Sequence, residues 1–259
     1  MDVLIHDFEV MGTVFRFTFA EAEGERVGTL LPLAQQILVE ADQTFSTYKP
    51  DSEVSLIREG NLSMGDASFD VKQVFRDCAN WNTKTEGGFD SFDPNGKWDP
   101  SGLVKAWAAQ SAAEYLVANG VIDFSLNAGG DIYLGPKANP LLKRVGIAKP
   151  VSIAVTGLQA GWVIDLSDTG YRAVATSGSA ERGDHIWGKT SDLLQVTVVG
   201  RELISADVWA TSLFAKGPAL LPAMSEMGLE ALLIFSDGTT YKTDGFAKLE
   251  LELSNVKEV

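Results

Sequence analysis

Basic residues and histidine are scarce in this chain, and cysteine is nearly absent. Its 259 residues carry 21 Lys and Arg against 35 Asp and Glu, a formal net charge of −14. That balance argues against a broad basic face for nucleic acid, because phosphate backbones demand clustered cations. The single cysteine, Cys78, rules out an intramolecular disulfide, and its company of only two histidines argues against a His/Cys zinc site. No run of the sequence approaches a membrane span. The first residues, MDVLIHDFEVMGTVFRFTF, lack a basic region and an unbroken apolar core, so they do not form a signal peptide. The expected location is cytoplasmic, for this chain or for one trimmed of its leader.

What is present is an ordinary globular composition, long enough for one large core. Alternation over Val3–Val10 and over Val14, Phe15, Phe17 and Phe19 predicts two strands. Leu30, Leu33, Ala34, Ile37, Leu38 and Ala41 predict a helix over about residues 27–43, followed by a polar turn from Phe45 to Glu53. A second helix is expected from an Asp70 cap to about Thr83, with Cys78 on its core face. A third, carrying Leu103, Val104, Trp107, Ala108, Ala112 and Leu116, follows a Gly-rich acidic loop and ends at Asn119-Gly120. The second half reads as mostly β: Phe124–Leu134 around a Gly129-Gly130 turn, then Val145–Ala148, Ile153–Thr156, Trp162–Leu166, Arg172–Thr176 and Leu194–Val199. A helix around Asp207, another over Pro218–Met227, and a closing hairpin across Asp237-Gly238 complete the pattern. The expected class is α+β, helices packed on a largely antiparallel sheet, as one domain over residues 1–259.

Chemistry is suggested first by Ser205-Ala206-Asp207-Val208-Trp209-Ala210-Thr211. Helical residues four apart have Cβ atoms roughly 5–6 Å apart, so Asp207 and Thr211 can share one small hard cation. Magnesium suits such a partial oxygen shell, because it keeps waters and takes further ligands from substrate phosphates. The simpler account makes Ser205 an N-cap, Asp207 a first-turn acid and Thr211 a back-bonded hydroxyl. Asp99-Pro100-Ser101-Gly102-Leu103-Val104-Lys105 opens a helix whose free amides and lysine suit a phosphate, or is an ordinary capped start with a solvated lysine. Asn127-Ala128-Gly129-Gly130-Asp131 allows close approach of a ligand, or makes a routine hairpin. His185 follows a small-residue turn and could act as a base, whereas His6 lies in an alternating strand and reads as structural.

These segments, in this order, together with Met11-Gly12-Thr13, Ser46-Thr47-Tyr48, Gly88-Phe89-Asp90, Thr176-Ser177-Gly178 and His185-Ile186, resemble the ApbE family over roughly residues 11–217. The resemblance implies a T-fold-like domain and a magnesium-dependent FAD:protein FMN transferase. It implies that Met11, Tyr48, Gly88, Phe89 and Asp90 contact FAD, and that Asp99 and Lys105 hold its adenylate or pyrophosphate portion. Ile186 and Ala210 would approach FAD through their backbone. Asp207 and Thr211 would bind magnesium through side chains and Gly102 through its carbonyl, with His185 and Asp207 as the catalytic candidates. The chain departs from the family pattern at Pro100 and Ala106, and after His185, where Ile186-Trp187-Gly188-Lys189-Thr190 replaces the usual Asp-Pro and Thr-Gly.

The implied partners are FAD and an acceptor flavoprotein with a Ser or Thr modification site. The chain itself is expected to be a monomer or a homodimer. Two rivals use the same residues: a FAD pyrophosphatase, with water in place of the acceptor hydroxyl, and a FAD-binding protein that does not turn over.

Overall fold

The computed structural model describes residues 2–150, 161–178 and 189–251. Strand β1 (Val3–Val10) pairs antiparallel with β2 (Thr13–Ala20) across a two-residue turn, Met11-Gly12, with φ of +55° and +69°. Left-handed backbone at both positions matches the natural twist of a hairpin. Phe15, Phe17 and Phe19 all point into the core, while Arg16 faces outward and binds Asp7 through two 2.7 Å hydrogen bonds. That guanidinium holds the Asp7 carboxyl below its usual range.

Four helices follow: α1 (Gly24–Phe45), α2 (Glu53–Arg58), α3 (Phe69–Lys84) and α4 (Ser101–Ala118). The first is longer than its apolar pattern because Phe45 is still helical and packs on Trp107 at 5.4 Å. Helix α2 occupies the end of what reads in sequence as turn, starting on Ser52, whose hydroxyl accepts the Ser55 amide. Ser68, rather than Asp70, caps α3. Cys78 is buried there as expected, and burial pushes its thiol up to about 12. Helix α4 is buried at Leu103, Val104, Ala106, Ala108, Ala109, Ala112, Ala113 and Leu116, because it lies between α1 and the sheet. Its end is a Schellman turn: Gly120 at φ +85°, with Gly120 N–H to Val117 O and Val121 N–H to Leu116 O at 3.0 Å each.

Among the described residues, eight strands form one antiparallel sheet in the order β1-β2-β3-β4-β7-β8-β9-β10. It takes in β3 (Phe124–Ala128), β4 (Asp131–Leu134), β7 (Ala173–Gly178), β8 (Leu193–Gly200), β9 (Glu230–Phe235) and β10 (Thr240–Lys242). A separate hairpin of β5 (Arg144–Ile147) and β6 (Trp162–Asp165) covers the far face of the β7–β9 region. Strand β8 is therefore buried on both sides, whereas β2 is buried on one, and their sequences differ accordingly: QVTVV against VFRFTF. The expected strand Ile153–Thr156 lies outside the described residues.

Helix α5 (Leu203–Lys216) lies on β7 and β8 and against α4. It is followed by α6 (Leu221–Glu226), shorter than the expected helix because Pro218–Leu220 forms a separate 3-10 turn. The chain does not close on the Asp237-Gly238 hairpin. Thr243 caps a further helix, α7 (Asp244–Leu249), whose Phe246 and Leu249 seal the second core with Ile164, Leu232 and Ile234. Among the described residues, no helix is long and apolar enough to cross a membrane.

Candidate active site

The sheet register gathers three features at one edge. The Met11-Gly12 turn, the Gly129-Gly130 turn and the C-terminal end of β7 all face the same way, because Phe15 pairs with Ala128 and Ile132 with Val174. The two turns touch: Gly129 N–H donates to Val14 O at 3.1 Å, and a Cβ on Gly129 would stand 2.4 Å from Thr13 Oγ1. With φ of +61° and +103°, Gly129 and Gly130 form a tight turn that Asn127 Oδ1 secures by accepting the Gly130 amide at 2.8 Å. Met11, a non-glycine residue in left-handed backbone, lines an open cleft of about 510 Å³ with Glu9, Val14 and Asp42. Asp42 also pairs with Lys49, the residue after Tyr48.

Helix α5 supplies the most unusual group. Eleven of its fourteen residues are buried, and Asp207 is one of them, at 6% exposure. The helix starts at Leu203, so Asp207 is its fifth residue, and the first-turn reading of this acid fails. Ser205 is not the N-cap either. Gln110 of α4 performs that task across the interface: its Oε1 accepts the Leu203 and Ile204 amides at 2.8 and 3.2 Å, while Ser205 Oγ donates to Glu202 O. One turn after Asp207, Thr211 Oγ1 lies 3.1 Å from Ser177 Oγ on β7, so it is not the back-bonded hydroxyl of this helix. Ser212 is, donating to Val208 O at 2.7 Å. Ala210, between Asp207 and Thr211 in the chain, is fully buried.

The Gly88-Phe89 segment joins α5 to the start of α4. A Cβ on Gly88 would lie 2.8 Å from both Ser212 Cβ and Leu220 Cδ1, so glycine lets the loop rest directly on α5. The Phe89 ring edge would lie 3.3 Å from a Cβ on Gly102. Its backbone is held at both ends, with Phe89 N–H donating to Thr85 Oγ1 at 2.9 Å and Phe89 O accepting from Asn82 Nδ2 at 2.8 Å. Gly102 itself is exposed, in the first turn of α4. Asp99 Oδ1 accepts the Ser101 amide at 3.0 Å and shapes that turn.

Lys105 is not a solvated lysine. Its ammonium pairs with Asp131, which is 1% exposed, and the other Asp131 oxygen accepts the Thr176 amide at 3.1 Å. The sequence alone assigns no role to Asp131 or Ser177. The signal for Asp131 was its phase: it shares the inward face of β4 with Tyr133, and an acid in an inward phase requires a buried partner.

The structure thus brings together Gly88, Phe89, Gly102, Ala210 and Thr211 around α5, with Asp207 on the same helix, and Lys105 through Asp131 to β7. Three of the expected residues stand apart from this cluster: Met11 lines the cleft beside Asp42, and Tyr48 and Asp90 lie elsewhere. Tyr48 is 96% exposed, and Asp90 lines a separate cleft of about 420 Å³ with Phe75, Asn82 and Phe92. His185 and Ile186 lie outside the described residues.

Buried carboxylate, hydroxyl and backbone carbonyl are hard oxygen donors. Among the described residues no three His, Cys, Asp or Glu side chains gather. Oxygen donors of these types suit a magnesium ion completed by waters and phosphates.

The model of the ApbE family matches this sequence over residues 11–94 and 91–233. The chain belongs to the ApbE family. Curated relatives include the FAD:protein FMN transferase of Vibrio cholerae, 23% identical over 83% of this chain and 82% of its own. That of Escherichia coli K12 is 22% identical over 93% and 87% respectively. The solved flavin transferase ApbE from Vibrio cholerae superposes with a TM-score of 0.77 at 21% identity, covering 96% of this chain and 99% of its own. The ApbE protein of Thermotoga maritima gives 0.79 at 19% identity over 97% and 100%. The α+β ApbE fold, with helices on a mostly antiparallel sheet, is therefore the fold of this chain.

Proposed function

We propose that this ApbE-family chain is a magnesium-dependent FAD:protein FMN transferase, a single domain that moves FMN from FAD onto a Ser or Thr hydroxyl of an acceptor protein and releases AMP. The observation that carries the reading is a buried carboxylate, Asp207, one turn before the Thr211 hydroxyl on α5, in a chain that the ApbE family model matches over residues 11–94 and 91–233.

In this scheme Asp207, Thr211 and the Gly102 carbonyl would hold magnesium. When bound, that ion neutralises charge on the FAD pyrophosphate and on departing AMP. Lys105 presents a second positive charge to the phosphates, while Met11, Tyr48, Gly88, Phe89, Asp90, Ile186 and Ala210 line the remainder of FAD and Asp99 the adenylate side. His185 takes the proton of the acceptor hydroxyl as its oxygen bonds to the FMN phosphorus and the pyrophosphate bridge breaks toward AMP. Positioning and charge neutralisation supply most of the acceleration, as is usual for phosphoryl transfer.

The deciding experiment follows FAD by mass spectrometry with and without magnesium, in the presence of a Ser/Thr-bearing flavoprotein acceptor domain. The expected result is an acceptor heavier by one FMN, with AMP appearing only when magnesium is present. FMN and AMP with an unmodified acceptor would replace the transferase by a pyrophosphatase. Tight FAD binding with no AMP would leave a binding protein.

A further inference from the structure

Asp131 lies at the meeting point of three elements. It opens β4, its carboxylate is buried at 1% exposure, one oxygen pairs with Lys105 of α4, and the other accepts the Thr176 amide of β7. The next residue on β7, Ser177, hydrogen-bonds Thr211 of α5. The tight Gly129-Gly130 turn fixes where β4 begins, and therefore where this carboxylate stands. Lys105 has the flexible four-carbon stem of any lysine and a side chain 17% exposed, so its ammonium needs an anchor if it is to meet a phosphate in one place.

We propose that Asp131 is a positioning residue of the transfer reaction: it holds the Lys105 ammonium toward the FAD phosphates and, through the Thr176 amide, ties that lysine to the strand supporting Thr211. The proposal rests on the flavin-transferase reading given above. Asp131 touches neither FAD nor the reacting atoms in this scheme. Its effect passes through Lys105, and that makes it separable from a purely structural carboxylate.

The test measures FAD affinity by fluorescence titration for the wild-type chain, Asp131→Asn, Lys105→Gln and the double variant, with thermal melts verifying that each is folded. Asparagine keeps an oxygen for the Thr176 amide and removes only the charge facing Lys105. Asp131→Asn is expected to weaken FAD binding about tenfold, the scale of one charge-assisted contact. Lys105→Gln should weaken it at least as much, and the double variant no more than Lys105→Gln alone. In turnover, KM for FAD should rise by more than kcat falls. Asp131→Ser, smaller and uncharged, takes the place of the amide variant if that one does not fold, with the same expectations.

Wild-type affinity in Asp131→Asn overturns the proposal. So does an equal loss in the wild-type and Lys105→Gln backgrounds, because Asp131 would then act independently of the lysine. A wild-type chain that does not bind FAD overturns the flavin-transferase reading and this proposal together. FAD binding with unaltered affinity in Asp131→Asn overturns the positioning role alone.

Discussion

Lys105 and Tyr48 are assigned to the same ligand and are built in opposite ways. Lys105 sits on a helix buried between α1 and the sheet, ion-paired to a carboxylate that is 1% exposed. Tyr48 follows the end of α1 with its ring 96% exposed, secured locally by its own amide on Ser46 Oγ. The first arrangement fixes a charge before any ligand arrives, which is what electrostatic catalysis requires. The second leaves an aromatic face for a flat ligand and contributes little to the folded state. In the proposed scheme the inner part of the site is shared with the core, and its residues would carry stability and chemistry together. The rim residues would carry recognition alone.

Substitutions at successive distances from the core should break that contrast or sharpen it. Asp207→Asn is expected to lower magnesium-dependent AMP release by about a hundredfold or more, the scale seen when a preorganised electrostatic group is removed. Circular dichroism should be unchanged, and full activity in this variant would end the metal assignment. Gly88→Val comes next. Its side chain would collide with Ser212, Leu220 and the Thr85 carbonyl, so about 1–3 kcal/mol of overpacking strain should lower the melting temperature by about 2–12 °C while turnover falls. A melt matching wild type would show that the loop does not rest on α5. Ser177→Ala removes the hydrogen bond to Thr211, a loss of about 1 kcal/mol, and AMP release should fall about fivefold with the fold intact. The smallest effect belongs to Tyr48→Ala: a melt within about 0.5 kcal/mol of wild type and a two- to threefold weaker FAD affinity by titration, on the order expected at an exposed position. A large drop in stability there would contradict the division between core and rim.

Much of the fold was legible because periodicity reports burial. Phe15, Phe17 and Phe19 declared a half-buried strand, the α1 pattern a helix, and Asn119-Gly120 its partner's end. The errors fell where distant residues decide the matter. Nothing near Ser205 reveals that Gln110, about ninety positions away, caps α5, so the helix starts three residues before the Ser205 cap predicts. Helix α7 leaves no such mark in the sequence, because a short apolar tail becomes helical only when Phe246 and Leu249 find the second core. The candidate site was legible as a set of short segments whose order matched a family. The bonds joining them were not: Lys105 to Asp131, Asp131 to Thr176 and Ser177 to Thr211 span 26, 45 and 34 positions, and each depends on sheet register.

Cys78 gives the molecule a practical property. It is the chain's single cysteine, 1% exposed, with its thiol pushed up to about 12 by burial, so at neutral pH it offers almost no thiolate to a reagent. A second cysteine introduced at an exposed position such as Tyr48 would then be the one reactive thiol, with no need to remove the native residue. A dye attached there would sit at the edge of the proposed flavin site, near enough for energy transfer to an isoalloxazine ring. The buried thiol thereby leaves the folded protein open to single-site labelling, with FAD arrival and departure observable in real time.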